Sequence, residues 1–165
     1  MESYKNPISL FKQTNFSKTI WWKLKVNISG YQNETENKLV TEIFKNRIFR
    51  LIYPNIYQNN HKSSRILVQL YEDGYICWIN LDGLIIEKYE LNKTESLKNE
   101  HFLIKDKITS ILEWIKNQAE ITNEYLWGGT LGPNFDCSGL IQTAFLKHRI
   151  HIPLSLIHIS EPTRH

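Results

Sequence analysis

Tyr125-Leu-Trp-Gly-Gly-Thr-Leu-Gly-Pro-Asn-Phe-Asp-Cys-Ser-Gly-Leu140 divides into a loop and the start of a helix. Gly128, Gly129, Gly132 and Pro133 suit turns and close backbone approaches, and they interrupt any helix or central strand. From Leu140 the pattern changes. Leu140, Ile141, Ala144, Phe145 and His148 recur at helical spacing, which predicts a helix from Cys137 or Ser138 to about Lys147. Asp136 falls at the N-cap, where its carboxylate can accept from the free N–H groups of the first turn. Cys137 then stands in that first turn. Unpaired N–H groups and the helix dipole favour an anion there, and the thiolate is the reactive form of cysteine. The position meets the physical requirement for a cysteine nucleophile.

An isolated Asp-Cys-Ser-Gly would fit an inert buried thiol, since free cysteines pack as small apolar residues. The Tyr125-x-Trp127-Gly128-Gly129 before it points the other way. Together the two halves resemble the signature of the NlpC-type cell-wall cysteine peptidases, a papain-like family, from Tyr125 to about Pro153. The resemblance implies that Cys137 is a catalytic nucleophile.

The 165 residues allow one ordinary domain or two small ones. A net charge of +3, with basic residues scattered among acids, is too small to argue for nucleic acid, and no base-reading motif occurs. Met1-Glu-Ser-Tyr-Lys-Asn-Pro7 lacks the basic and apolar regions of a signal peptide, and no apolar run is long enough to span a membrane. The expected location is cytoplasmic. Cys77 lies in Tyr75-Ile-Cys-Trp-Ile79, an apolar strand-like run, and reads as core. No Cys/His spacing resembles a zinc site, and no cofactor or metal is expected.

Residues 1–18 are polar and weakly patterned and read as a flexible tail. Trp22, Leu24, Val26 and Ile28 alternate as a half-buried strand. The Trp21-Trp22 pair suits either a sugar-stacking platform or one packed and one rim residue. Leu39–Ile52 fits one helix face or, by its β-branched content and a turn at Asn46, two short strands; strands are favoured. Ile66–Leu70 and Tyr75–Ile79 flank the turn signal Glu72-Asp73-Gly74 and form a hairpin, and Leu84–Ile86 is a short closing strand. Closely spaced strands suggest a small β-barrel over residues 19–89. This part resembles the bacterial SH3-like domain that precedes the peptidase in one branch of the family, most clearly over residues 68–79. Residues 90–101 are a polar linker. Ile104, Ile108, Ile111, Leu112, Ile115 and Ala119 then form a helical stripe that reads as core, as does Trp114.

After Pro153 the resemblance predicts Arg-Asp and a polar segment leading into a sheet. The chain instead reads Leu154-Ser-Leu-Ile-His-Ile-Ser-Glu-Pro-Thr-Arg-His165. That string resembles translated read-through of a transposase adapter from sequencing libraries. Residues 154–165 are therefore set apart as non-native; the other reading is a divergent strand. In papain-like peptidases the base histidine lies downstream of the cysteine, on the sheet. The base is accordingly expected to be absent, and the 165-residue chain to be an inactive fragment. His158 and His165 fall in the tail, while His148 and His151 lie at or past the far end of the cysteine's own helix.

The expected fold class is α+β, a small SH3-like barrel followed by the helical part of a papain-like domain over residues 102–153. The resemblance implies a cysteine endopeptidase that cleaves the γ-D-glutamyl–diamino acid bond of peptidoglycan-derived peptides bearing a free N-terminal L-Ala. Cys137 would attack, with its own N–H and the Tyr125 hydroxyl as oxyanion donors. Asp136 and Ser138 correspond to positions that contact the substrate, although Asp136 fits a plain N-cap equally. An acid for the L-Ala amine is expected in the SH3-like part, where Glu72 and Asp73 are the candidates, set against simple solvated turn acids. The rival readings are a non-catalytic cell-wall peptide-binding module and a Cys/His acyltransferase on the same scaffold.

Overall fold

Alternating inward and outward residues build seven short strands from the first half of the chain. They are β1 (Trp21–Leu24), β2 (Ile28–Tyr31), β3 (Leu39–Ile43), β4 (Ile48–Leu51), β5 (Arg65–Leu70), β6 (Ile76–Asn80) and β7 (Ile86–Tyr89). Three helices complete the elements: α1 (Pro7–Gln13), α2 (Glu100–Ala119) and α3 (Cys137–Lys147). The computed structural model describes residues 7–15, 17–52, 64–91 and 100–152, with residues 100–104 by backbone alone. The chain falls into two compact units, Met1–Asn92 and Lys93–His165.

In the first unit the strands form one antiparallel sheet in the order β3-β2-β6-β5-β4-β1-β7. Among the described residues β3 and β7 are its two edges, where the sequence suggests a barrel. Trp22 and Leu24 of β1, Phe49 and Leu51 of β4, and Ile66, Val68 and Leu70 of β5 all point into the core. Cys77 and Ile79 of β6 join them, so Cys77 is core as its apolar run suggests. The β5–β6 hairpin turns through Glu72-Asp73-Gly74, with Gly74 at φ +69°. The two strands favoured over 39–52 are present, separated by Asn46 at φ 76°.

Three expectations are corrected. Residues 1–18 are not all tail: α1 buries Phe11 edge-on against Trp22, with ring centroids 5.1 Å apart. One large aromatic side chain removes enough apolar surface from water to hold a short helix on the sheet. The run Trp22–Ile28 is two strands, because β1 pairs with β4 and β7 whereas β2 pairs with β3 and β6. The closing strand is Ile86–Tyr89 rather than Leu84–Ile86, since its partner β1 reaches it from Leu24 to Trp21. The tryptophan pair splits across the sheet: Trp22 is core, while Trp21 meets Tyr71 and Arg50 on the other face.

In the second unit α2 packs on α3 through Ile111, Ala144 and Ile150, flanked by Trp114, Ile115, Phe145 and Ile152. The α2 stripe is rotated from the predicted one: Ile111 is inside, while Ile108 and Leu112 are 38% and 50% exposed. Trp114 takes up the contact, edge-on to Phe135 and under Lys147. α3 ends in a Schellman motif. The Arg149 N–H donates to the Leu146 carbonyl and the Ile150 N–H to the Phe145 carbonyl, with Arg149 itself at φ 62°.

Candidate active site

Backbone contacts close the loop before α3. Tyr125 bridges Phe135 in parallel, and the Leu126 N–H donates to the Phe135 carbonyl at 3.2 Å. The Gly129 N–H donates to the Leu126 carbonyl at 2.9 Å, and Asn134 Oδ1 accepts from the Glu124 N–H at 2.9 Å. Gly128, at φ 75°, takes the left-handed turn that a side chain would resist. The result buries Gly128, Gly129 and Thr130 and leaves Tyr125, Leu126 and Trp127 exposed.

Asp136 joins loop and helix. It is the N-cap of α3, and Oδ1 accepts from the Gly139 N–H at 2.6 Å and the Ser138 hydroxyl at 2.8 Å. Oδ2 accepts from the Gly128 N–H at 2.8 Å. Both carboxylate oxygens are thus engaged within the protein by short, charge-assisted bonds. Two further contacts fasten the loop along the helix. A Cβ on Gly139 would strike the Gly129 carbonyl oxygen, so only glycine lets the backbones touch. One turn on, the buried Thr143 hydroxyl donates to the Thr130 carbonyl at 2.6 Å.

This packing corrects the inward face of α3. Gly139, Gln142, Thr143 and Ala144 are buried, whereas Ile141 is 40% exposed and Leu140 only half-buried. The helix lies against loop backbone, which small and hydrogen-bonding residues fit better than large apolar ones. Gly139 was the signal for this: a glycine inside a helix is costly unless something must come close.

Cys137 is the first residue of α3 and is exposed. As first-turn groups, the Cys137 and Ser138 N–H lack intrahelical acceptors. The Tyr125 phenol is pushed above its ordinary range by desolvation and by the negative charges of Asp136 and Cys137. Water screens the effect on so exposed a ring. Asp136, Cys137 and Ser138 thus share the start of α3, and the backbone of Tyr125 is tied beside them through Phe135.

The histidines whose side chains are described are His148 and His151. His148 is the C-cap of the 11-residue α3. At about 1.5 Å per residue that puts it about 16 Å from Cys137 along the axis. Among the described residues no histidine side chain hydrogen-bonds to the Cys137 thiol. His158 and His165 lie outside the described residues, as does the rest of the set-apart tail from Leu154. No group of three or more His, Cys, Asp or Glu among the described residues could hold a metal ion.

Glu72 and Asp73 belong to the first unit, and they are not solvated turn acids. Arg47, itself buried, pairs with Glu72 Oε2 at 3.2 Å through Nε and with Asp73 Oδ2 at 2.8 Å through Nη2. Glu72 Oε1 accepts from the Ile48 N–H at 3.0 Å, and Asp73 Oδ1 from the Tyr75 N–H at 3.1 Å. The Asp73 side chain is 2% exposed. Burial lowers the pKa of Arg47, but the charges and hydrogen bonds of Asp73 and Glu72 outweigh it and raise the value. Both acids are thus committed to a buried cation; no spacing in the sequence pairs them with Arg47.

Residues 122–159 match the model of the NlpC/P60 family. The match contains the whole Tyr125–Leu140 stretch, and it runs past Pro153 into the segment that the sequence sets apart. No curated protein matches the chain. Among solved structures, NlpC2 from Trichomonas vaginalis is similar at 17% identity and a TM-score of 0.31, over 81% of this chain. The chain spans 43% of the length of that structure.

Proposed function

We propose that this chain carries the nucleophile of a cysteine peptidase acting on peptidoglycan-derived peptides. The supporting observation is the exposed Cys137 at the first residue of α3, behind a carboxylate-capped glycine loop, inside the span that matches the NlpC/P60 family. The bond proposed is γ-D-glutamyl–diamino acid, in a stem peptide with a free N-terminal L-Ala, as suits recycling of turnover fragments in the cytoplasm. The Cys137 thiolate adds to the amide carbonyl carbon, and the Cys137 N–H and Tyr125 hydroxyl donate to the oxyanion. The C–N bond then breaks, the diamino acid leaves with a proton, and water hydrolyses the thioester. The proton is taken and returned by a histidine of the kind that the resemblance puts downstream of the cysteine on the sheet, and neither His158 nor His165 is given that role. Asp136 and Ser138 flank the substrate's N-terminal side, Asp136 in addition to its capping role. The free amine is left without an assigned partner, because Arg47 holds Glu72 and Asp73. Seven short antiparallel strands support reading the first unit as an SH3-like module.

The test is release of diaminopimelate from L-Ala-γ-D-Glu-diaminopimelate, with imidazole added as an external proton acceptor. Release by the 165-residue chain only when imidazole is present, and none by C137A, is the expected result. Equal release by C137A, or none by either protein with imidazole present, sinks the assignment. The position of the described histidines favours a second reading, a module that binds such peptides without cleaving them. Calorimetric binding with no Cys137-dependent product would select it.

A further inference from the structure

We infer that Thr143 is a positioning residue for Cys137, acting through the glycine loop rather than on substrate. Its hydroxyl is buried and donates to the Thr130 carbonyl at 2.6 Å. Thr130 continues directly from Gly129, whose carbonyl accepts from the Asp136 N–H at 3.3 Å and abuts Gly139. Gly129 follows Gly128, whose N–H holds Asp136 Oδ2 at 2.8 Å. The loop is therefore pinned to α3 at residues 136, 139 and 143, along one helix face. Releasing the last pin lets the loop lift at Thr130 and pull the Gly128 N–H from Asp136. The freed carboxylate oxygen, no longer compensated by the Gly128 N–H, then changes the electrostatic potential at the thiol, because Asp136 directly precedes Cys137.

This deepens the proposed nucleophilic role of Cys137 and depends on that role only for its bearing on catalysis. The residue differs from a generic core threonine in what its hydroxyl reaches. Valine fills nearly the same space but cannot donate, whereas serine keeps the donor and loses a methyl group.

The experiment uses the full 165-residue chain and needs no turnover. Cys137 is alkylated with neutral iodoacetamide and with anionic iodoacetate, and the ratio of the two rates reads the charge at the thiol. Hydrogen exchange of the Gly128–Thr130 amides is followed in parallel. T143V is expected to change the rate ratio at least twofold and to speed exchange of the loop amides about fivefold, the loss of one hydrogen bond of about 1 kcal/mol. T143S is expected to restore both. A rate ratio unchanged in T143V overturns the inference. So does an effect of equal size in T143S, which would make Thr143 a packing residue. If the peptidase assignment fails while the ratio responds to T143V and recovers in T143S, the positioning role stands by itself.

Discussion

Cys77 ties the stability of the first unit to alkaline pH. Its side chain is 2% exposed, between core strands, and a Cβ on Gly30 would lie 2.9 Å from its sulfur. Burial pushes its pKa from 9.0 up to about 12; the Arg47 charge opposes this and Asp73 adds to it. Across that interval the folded unit keeps a proton that the unfolded chain has released. Unfolding then gives up a proton, so the contribution is complete below pH 9.0 and is lost as the pH rises. The loss is about 1.4 kcal/mol per pH unit. Between pH 8 and pH 10.5 it amounts to about 2 kcal/mol. The perturbation is Cys77→Ala, made beside Cys137→Ser so that no other thiol titrates. The assay is urea unfolding followed by tryptophan emission, under reductant, at the two pH values. Removing the sulfur costs about 1 kcal/mol at pH 8, a typical core truncation. At pH 10.5 the alanine variant becomes the more stable by about 1 kcal/mol. Tyrosine and lysine titrations are shared by the two proteins and cancel in the difference. A stability difference that stays constant within about 0.5 kcal/mol across that range refutes the reasoning.

Two other changes probe the second unit. Gly139→Ala adds about 1 kcal/mol of helix propensity but drives a methyl group into the Gly129 carbonyl. With the Thr143 and Asp136 contacts strained as well, a net loss of about 2 kcal/mol is expected in the urea midpoint of the helical circular-dichroism signal. An increase in stability would mean that the loop does not lie on the helix. Arg149→Gly relieves a left-handed residue, at φ 62°, in the Schellman motif. A gain of about 1 kcal/mol is expected in thermal unfolding, and a loss would show that this helix end is built otherwise.

Local chemistry was legible in the sequence wherever neighbours along the chain decide the outcome. Asp136 before Cys137 announces a capped helix start, and α3 runs from Cys137 to Lys147 as its spacing predicts. The Glu72-Asp73-Gly74 turn and the inward alternation of Ile66, Val68 and Leu70 depend only on backbone preference and a period of two. The place of Cys137 in the first turn of α3 was visible for the same reason. What the sequence could not show is what meets what across long separations. Phe11 seals the core against Trp22, Arg47 takes both acids of a turn 25 residues away, and α3 buries Gly139 and Thr143 instead of Ile141. Each of these is settled by which backbone or charge stands opposite once the chain has folded. Periodicity marks a face of a helix or strand, but only the tertiary contact says whether that face meets side chains, bare backbone or water.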